Sequence, residues 1–325
     1  MGRGVRDRGR GGPALGGKVL AGRVGFGAMR LTGPGLWGTY EDRAGGIALL
    51  RQAVEEGAAL VDTADVYGPH SNELLIREAL HPYPEHVVVA TKGGLVRGGR
   101  PLETIGAVGN PAYLRQSARM SARRLGVDRI DLYYLHSGYA RDASFEDQVG
   151  VLAELRDEGV IGEVGLSNVT VEQFGAARRI VDVAAVTAHF NVVDRRQTAL
   201  LAAAEEAGAV FSPWQPVSLS RPGAPTDTGG PAEVRGVLEP VAARLGATVS
   251  QVALAWLLAR SPAMLPVPGT TSPGHLRENL AAGELCLEHR DFESIEALGN
   301  AEGPGDANGL GSAGDLGVPA SGPAV

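Results

Sequence analysis

Four side chains that can move or orient a proton stand at or near the ends of short apolar segments. Asp62, Lys92 and His136 each end such a segment, and Tyr67 follows Asp62 by five residues. A tyrosine hydroxyl has an ordinary pKa of about 10, and a nearby cation lowers that pKa by favouring the phenolate. We therefore expect Lys92 to tune Tyr67 for proton transfer. Asp62 would pair with the ammonium, and a neutral His136 would orient a substrate oxygen.

Lysine is rare in this chain. Lys18 and Lys92 are the only lysines among 30 Lys and Arg residues. A compact ammonium has a proton affinity that responds to its surroundings, whereas a guanidinium stays protonated. The structural alternatives are a lysine that extends from a strand end to solvent, a tyrosine that packs and an aspartate that caps a turn. The joint occurrence of these residues favours the catalytic interpretation.

Short apolar segments alternate with longer helical patterns from residue 24 onward, which is typical of repeated βα units around a parallel sheet. Eight regularly spaced units predict an α/β fold, a single (β/α)8 TIM barrel, in which the four residues lie at the carboxyl ends of strands, where active sites occur. The predicted strands are 24–29, 59–64, 87–92, 131–136, 163–168, 185–190, 209–214 and 264–268. The predicted helices include 72–80, 111–125, 145–158, 171–181, 195–207, 232–245 and 250–259.

An open, doubly wound sheet is the structural alternative. That fold carries a glycine fingerprint for dinucleotides after its first strand. Gly25 and Gly27 are not followed by the third glycine of that fingerprint, so we reject it. A partial phosphate-loop pattern at residues 12–18 is followed by Val19 instead of Ser or Thr and comes after no strand, so we reject it too.

Composition excludes several classes of function. A net charge of -7 argues against a nucleic-acid partner, which needs a clustered positive field. No apolar segment approaches the roughly 20 residues of a membrane helix, and the Arg- and Gly-rich beginning is not a secretory signal. Cys286 is the only cysteine, which excludes an internal disulfide and fits a reducing compartment. We expect a cytoplasmic protein with no membrane partner, no nucleic-acid partner and no metal.

The two ends differ in composition from the rest of the chain. Residues 1–17 are rich in Gly and Arg, and residues 301–325 are rich in Gly, Ala, Pro and Ser. Such segments bury little apolar surface and stay disordered. We therefore expect residues 18–300 to form the barrel and the two ends to be flexible, disordered tails.

Several ordered motifs resemble those of the aldo-keto reductases. They are Asp62-Thr-Ala-Asp-Val-Tyr67-Gly, Val89-Ala-Thr-Lys92, Leu132-Tyr-Tyr-Leu-His136 and Val164-Gly-Leu-Ser167-Asn168. Further on, Phe211-Ser-Pro-Trp214 resembles the segment whose aromatic ring stacks on nicotinamide. Residues 266–279 resemble the adenosine-phosphate loop and the helix after it. The resemblance runs from about residue 25 to residue 282.

The resemblance implies hydride transfer between NADP(H) and a small carbonyl or alcohol substrate. Tyr67 would act as the general acid in reduction, while hydride arrives from C4 of the nicotinamide. Ser167 and Asn168 would hold the carboxamide, and Phe211 would stack on the ring. The full set of residues expected to bind the cofactor is Ser167, Asn168, Thr187, Phe211, Ser212, Pro213, Trp214, Gly269, Thr270, Thr271, Ser272, His275, Glu278 and Asn279.

Some of these positions depart from the family pattern. Thr187 stands where the family commonly has glutamine. Gly269, Thr271 and His275 occupy positions that are Lys or Arg in relatives, so NAD(H) stays open beside NADP(H). The hydroxyls of residues 270–272 and the amides where the next helix begins would still hold a phosphate. An ordinary helix cap is the alternative for this loop.

Within the family, residues 25–35, 67–72 and 76–83 look similar to those of bacterial pyridoxal reductases, so pyridoxal is the first substrate to expect. A second hypothesis is a nicotinamide-binding redox sensor with little turnover, like the potassium-channel β-subunits of this family. A third is an unrelated metal-dependent barrel hydrolase, which the lack of clustered ligands disfavours. The intact set of four polar residues favours turnover. His189 has no evident partner in the sequence and is interpreted as structural or solvated.

Overall fold

The computed structural model describes residues 11–219 and 231–298. The strands are β1 Ala14–Leu15, β2 Lys18–Val19, β3 Phe26–Gly27, β4 Leu60–Asp62, β5 Val88–Gly93, β6 Leu95–Arg97, β7 Ile105–Ala107, β8 Ile130–Leu135, β9 Ile161–Ser167, β10 Val183–His189 and β11 Val210–Trp214. Seven of them are parallel and form one sheet in the order β11-β10-β9-β8-β5-β4-β3. Two short antiparallel hairpins accompany it, β1 with β2 and β6 with β7.

Residues 263–268 close this sheet into a barrel. The Leu265 N–H donates to the Phe211 carbonyl of β11 at 2.9 Å, and the Gly25 N–H, just before β3, donates to the Pro266 carbonyl at 2.9 Å. The segment therefore fills the eighth strand position that the sequence predicts at 264–268. Its two prolines have no N–H to donate, which explains why it forms single bridges instead of a regular strand.

The helices follow the strands, as the predicted βα repeat requires. The sequence-based cap signals are visible at several ends. The Asn110 side chain accepts from two N–H groups at the start of the helix Pro111–Leu125, and Gly126 ends that helix with a φ of 77°. The helices are α1 Arg43–Glu55, α2 Ser71–Leu80, α3 Pro111–Leu125, α4 Phe145–Asp157, α5 Val171–Ala177, α6 Thr198–Glu206, α7 Ala232–Leu245, α8 Val249–Arg260, α9 Pro273–Ala281 and α10 His289–Glu296.

The core has separate layers inside and outside the sheet. The largest cluster joins strand residues such as Phe211 to helix residues such as Trp256, which is fully buried. A second cluster contains strand residues that alternate with those of the first, including Leu60, Leu132 and Leu265. This alternation is what period-two strand geometry produces when both faces of a sheet are buried.

The first hairpin covers the amino-terminal end of the barrel. Leu15 and Leu20 are buried and belong to the inner cluster with Leu60 and Leu132. We expected a flexible tail up to residue 17, whereas residues 14–17 belong to this hairpin. The two leucines supply the apolar surface that holds the hairpin against the barrel. Two apolar residues among many glycines are too weak a sequence pattern to predict this. Residues 1–10 and 301–325 lie outside the described residues.

No single helix in the described part of the chain is long and apolar enough to cross a membrane. One pair, Ala232–Leu245 with Val249–Arg260, passes that test by length and composition only when it is taken together, and the pair is bent by 95°.

Candidate active site

The four side chains predicted to move a proton lie together at the carboxyl ends of the strands. Asp62 ends β4, Lys92 is the penultimate residue of β5, and His136 directly follows β8. With Tyr67 they line one cavity of about 590 Å³. The parallel register of β4, β5 and β8 explains this, because it places the ends of these strands side by side.

The Lys92 ammonium is buried and is surrounded by oxygen atoms. Its Nζ donates to Asp62 Oδ2 at 2.6 Å and to the Thr63 carbonyl at 2.8 Å. It also interacts with the Tyr67 hydroxyl, and it lies 5.5 Å from the centre of that ring. Burial alone lowers the pKa of Lys92, but Asp62 and Tyr67 together outweigh burial and raise it. The side chain is therefore charged at neutral pH.

Asp62 completes the ion pair. Burial raises the pKa of its carboxyl, and the attraction and hydrogen bond of Lys92 act in the opposite direction. The short contact fixes the ammonium beneath the tyrosine, because one of its three donors is always directed at this carboxylate.

Burial changes the expectation for Tyr67. Desolvation raises the pKa of the hydroxyl and outweighs the lowering caused by Lys92, so the pKa lies above its ordinary value. The cation acts in the expected direction, but the expected net lowering is wrong, because a buried phenolate loses more hydration than one ammonium replaces. Tyr67 is thus protonated at neutral pH. Since its oxygen accepts from Lys92, its own O–H is left to donate to another acceptor.

His136 is a neutral imidazole in this environment. Burial, followed by the charge of Lys92, lowers its pKa well below the ordinary value. Its ring centre lies 6.1 Å from that of Tyr67 at an interplanar angle of 78°. Its backbone N–H donates to the Gly93 carbonyl at 2.8 Å, and its buried Nδ1 has no hydrogen-bond partner among the described residues. A neutral ring that lines the cavity fits the expected role of orienting a substrate oxygen.

The residues expected to hold a carboxamide also line the cavity. Ser167 ends β9, Asn168 follows it with a φ of 53°, and Thr187 lies on β10. Asn168 Nδ2 donates to Ser167 Oγ at 3.2 Å, and Trp214 Nε1 donates to Asn168 Oδ1 at 3.0 Å. The Asn168 amide is therefore oriented by the protein itself. Ser167 and Asn168 together present a hydroxyl and an amide at the strand ends, and these groups can pair with a carboxamide.

Phe211 does not reach the cavity, although we expected its ring to stack on nicotinamide. It is fully buried in the outer layer, with its ring 5.7 Å from that of Phe190. The register of β11 explains this, because Phe211 pairs with Val186, which faces the same outer layer, whereas Ser212 pairs with Thr187. The aromatic residue of this segment that lines the cavity is Trp214, whose ring centre is 4.4 Å from that of His189.

Ser212 and Pro213 do not line the cavity either. The Ser212 hydroxyl donates to the Leu265 carbonyl at 3.0 Å, so this side chain joins β11 to the closing segment. That both residues bind the cofactor stays a prediction.

The loop predicted to hold a phosphate leads into α9. Gly269 lines the cavity, and Thr270 is buried with its Oγ1 accepting from the Ser272 N–H at 3.0 Å. Ser272 caps α9 by accepting from the His275 N–H at 3.4 Å, as the helix-cap alternative predicted. The hydroxyls of Thr270 and Ser272 thus have roles within the loop, while Thr271 and His275 are exposed. Of the other two residues, Glu278 is half-buried and Asn279 is buried on α9.

Sequence reasoning missed several residues of the cavity wall. Two are cations, Arg30 after β3 and Arg235 on α7, and Glu239 follows Arg235 by one helical turn. Gln215 is another, with a φ of 51° directly after β11. The signal for Arg30 was its position after the first strand, at the same rim as the four proton-transfer residues. Nothing in the sequence signals that α7 approaches the cavity.

His189 has clear partners in the structure. Its Nδ1 lies 3.1 Å from Asp194 Oδ2, and its Nε2 lies 3.2 Å from Gln215 Oε1. Asp194 also accepts from Arg196 at 2.7 Å. Burial opposes the charge of Asp194, but the hydrogen bonds from His189 and Arg196 lower its pKa below the ordinary value. His189 therefore has a structural role, because its ring packs against the ring of Trp214.

Among the described residues, no group of three or more His, Cys, Asp or Glu side chains is placed to hold a metal ion. Four of the polar residues that line the cavity, Asp62, Lys92, Tyr67 and His136, instead form one ion pair beside one phenol and one imidazole. Such a set suits proton transfer coupled to a change at a carbonyl or alcohol carbon.

Comparison with known proteins shows the family to which the chain belongs. The family model described as "Aldo/keto reductase family" matches residues 23–300. The chain is 40% identical to an uncharacterized oxidoreductase of Schizosaccharomyces pombe over 88% of this chain and 89% of that protein. It is 38% identical to the pyridoxine 4-dehydrogenase of Escherichia coli, covering 85% of this chain and 94% of that protein. An aldo-keto reductase from Klebsiella pneumoniae, solved in complex with NADPH, superposes with a TM-score of 0.73 at 23% identity, covering 89% of this chain and 95% of that one. The chain is therefore an oxidoreductase that belongs to the aldo/keto reductase family.

Proposed function

We propose that the chain is an NADP(H)-dependent reductase that interconverts small aldehydes or ketones and their alcohols. The observation that carries the proposal is the direction of the donors around Tyr67. Lys92 supplies hydrogen bonds to Asp62, to the Thr63 carbonyl and to the phenol oxygen, so the phenol proton is left to donate to a ligand in the cavity.

The cavity suits a nicotinamide dinucleotide. Asn168 and Ser167 present paired polar groups close to the proton-transfer residues, and Trp214 offers a ring face beside them. Arg30 and Arg235 line the same cavity, and cations of this kind pair with phosphate oxygens. The residues present thus fit the cofactor of the Klebsiella relative, and Arg235 takes the place of the basic side chains that residues 269–275 do not supply.

Bound NADPH supplies the hydride for reduction. The chain supplies the proton and the orientation. Tyr67 donates its proton to the carbonyl oxygen, and Lys92 stabilises the phenolate that is left behind. A neutral His136 donates a hydrogen bond to the same oxygen and fixes its position. In alcohol oxidation the same groups act in the reverse order.

The first substrate we propose is pyridoxal, with pyridoxine as its alcohol partner. The 38% identity to the Escherichia coli pyridoxine 4-dehydrogenase over most of both chains supports it. The wall of the cavity combines apolar groups from Met29, Trp214 and Leu219 with the polar rim, which suits a small aromatic aldehyde. The net charge of -7 and the single cysteine support the further proposal of a cytoplasmic enzyme without a nucleic-acid or membrane partner.

Steady-state oxidation of NADPH and of NADH, with pyridoxal and with 4-nitrobenzaldehyde, tests this function. We expect turnover with NADPH, and a Tyr67→Phe variant that binds NADPH as tightly as the parent but reduces carbonyls at least about 100-fold more slowly. An Arg235→Gln variant should weaken NADPH binding by about tenfold and leave NADH binding unchanged, with Arg244→Gln as the control on the same helix, because Arg244 does not line the cavity. Tight binding of NADPH without turnover of any carbonyl would refute the reductase and support the redox sensor.

A further inference from the structure

We propose that Tyr134 is a positioning residue of the catalytic centre, an aromatic ring that holds the Lys92 ammonium from the side of β8. The proposal rests on the proposed function, because the ring acts through the lysine of that mechanism. Tyr134 is 1% exposed, belongs to the inner cluster of the core and does not line the cavity. Its effect on the reaction must therefore pass through a neighbour. The motif that ends in His136 contains Tyr134, but chain position alone gives it no role.

The oxygen partners of the Lys92 ammonium come from β4 and the loop after it. They are the carboxylate of Asp62, the carbonyl of Thr63 and the hydroxyl of Tyr67. β5 lies between β4 and β8 in the sheet, and Lys92 pairs in register with Tyr134 of β8. Register partners on parallel strands point to the same face of a sheet. The ring of Tyr134 is thus the neighbour of the ammonium on the side of β5 away from these oxygens.

The contact between Lys92 and Tyr134 is a cation–π interaction. Lys92 Nζ lies over the Tyr134 ring, 5.6 Å from its centre. Burial, followed by the charge of Asp62, raises the pKa of Tyr134 well above its ordinary value, so the ring stays a neutral phenol. The face of a neutral ring is negative and attracts a cation, most strongly where water is excluded. Tyr134 therefore draws the ammonium towards β8, against the pull of Asp62 towards β4.

Gly165 of β9 makes room for this ring. It pairs in register with Tyr134, and a Cβ at Gly165 would lie 2.3 Å from Cδ1 of the ring. Gly165 lies inside a regular strand and has no positive φ, so its backbone conformation does not require glycine. The ring explains the glycine instead, because it packs on bare backbone at this point. This packing holds the ring in the orientation that meets the ammonium.

The opposing pulls on Lys92 matter for proton transfer. Asp62 and Thr63 alone would draw the ammonium towards β4, whereas the ring of Tyr134 balances them and leaves Nζ in contact with the Tyr67 hydroxyl. When Tyr67 gives up its proton in reduction, the charge placed in this way stabilises the phenolate. Loss of the ring face should slow this chemical step and leave ligand binding unchanged, because Tyr134 is not part of the cavity wall.

The test separates the ring face from the hydroxyl and from packing. Tyr134→Leu removes the ring, and Tyr134→Phe keeps the ring without its hydroxyl. Tyr133→Leu is the matched control, because Tyr133 is a fully buried tyrosine of the same strand that packs in the outer layer. The measurements are kcat and KM for the reduction of pyridoxal by NADPH. We expect Tyr134→Leu to lower kcat by about tenfold, with both KM values within about twofold of the parent. The other two variants should keep kcat within about twofold.

A second measurement follows the lysine without turnover. Lys18 and Lys92 are the only lysines in the chain, so lysine carrying an isotope label at Cε gives two nuclear magnetic resonance signals, and Lys18→Arg identifies them. The face of an aromatic ring shifts nearby protons upfield. We expect the Lys92 signal to move downfield in Tyr134→Leu and to keep its position in Tyr134→Phe, while the Lys18 signal stays in place in both variants.

An unchanged kcat in Tyr134→Leu would overturn the proposal. An equal fall in Tyr134→Phe would also overturn it, because the hydroxyl would then be the group that matters, and an equal fall in Tyr133→Leu would assign the effect to the packing of β8. Tyr134→Met repeats the test if the Leu variant does not fold. Should the parent reduce no carbonyl, the proposed function fails by itself. A Lys92 signal that stays in place in Tyr134→Leu is then the result that overturns the positioning role.

Discussion

The indole Nε1 of Trp214 donates to Asn168 Oδ1 at 3.0 Å, and this bond joins the end of β11 to the end of β9. Both strands end in backbone that L residues rarely adopt, with a φ of 53° at Asn168 and 51° at Gln215. Positions like these persist when surrounding contacts fix them, and they concentrate at ligand sites. Asn168 Nδ2 donates one hydrogen to Ser167 Oγ, which leaves its second amide hydrogen and the hydroxyl hydrogen of Ser167 for a ligand.

A Trp214→Phe variant keeps a ring on the cavity and removes only the donor. Loss of one hydrogen bond of about 1 kcal/mol should raise the Kd for NADPH about fivefold. Titration of NADPH fluorescence measures it. Trp37→Phe is the matched control, because the Trp37 ring lies 5.2 Å from Arg97 and does not line the cavity. An unchanged Kd in Trp214→Phe would show that the indole N–H does not orient Asn168 for the cofactor.

A Lys92→Arg variant tests whether an ammonium is needed. The guanidinium is larger and does not place three donors around one nitrogen, so kcat for carbonyl reduction should fall by about 10²- to 10⁴-fold. Lys18→Arg controls for the substitution itself, since Lys18 donates to the Glu85 carbonyl and does not line the cavity. If Lys92→Arg turned over carbonyls as fast as Lys18→Arg, the ammonium of Lys92 would not be needed for proton transfer. Initial rates with saturating NADPH give the comparison.

A Phe211→Leu variant separates packing from cofactor stacking. The ring is buried against Phe190, so its truncation should lower the free energy of unfolding by about 1 to 2 kcal/mol in urea titrations. The KM for NADPH should stay within about twofold of the parent, because the ring does not line the cavity. A KM raised tenfold with unchanged stability is the result that stacking would give.

Stability should depend on pH through Asp65, a buried residue of the loop after β4 whose carboxylate accepts from Ser117. Burial raises its folded pKa to about 7, above the ordinary value of 3.8, so the folded chain binds the extra proton between these values. This contribution to stability is present below about pH 4 and is lost as the pH rises through 7. At about 1.4 kcal/mol per pH unit, the full loss is at most roughly 4 kcal/mol.

Asp65→Asn should therefore be more stable than the parent at pH 8, and the difference should shrink toward pH 4. Urea unfolding at both pH values measures the two differences. Equal differences at the two pH values would contradict the assignment, because a substitution without a titrating charge has no such dependence.

The sequence predicts the barrel well because its signals are local and repeated. Each strand from β4 to β11 lies within two residues of a predicted range, apart from the β6 and β7 hairpin, whose Gly-rich surroundings conceal it. Chain position predicts that four residues lie close together, because a parallel barrel brings every strand end to one rim. They are Asp62, Tyr67, Lys92 and His136.

What the sequence cannot supply is the direction of each side chain and the approach of distant elements. Phe211 and Trp214 belong to one motif, and only the strand register shows which ring faces the cavity. The raised pKa of Tyr67 depends on burial, which no motif encodes. Arg235 reaches the cavity from α7 through the packing of a helix that is remote in sequence.

The hairpin formed by β1 and β2 covers the end of the barrel opposite the catalytic residues, and Leu15 and Leu20 fill the interior at that end. A reporter or immobilisation handle fused ahead of Gly11 would therefore lie at the end of the barrel opposite the catalytic residues. A chain that begins at residue 23, where the match to the family model begins, would lack Leu15 and Leu20. The apolar interior of the barrel would then be exposed to water at that end.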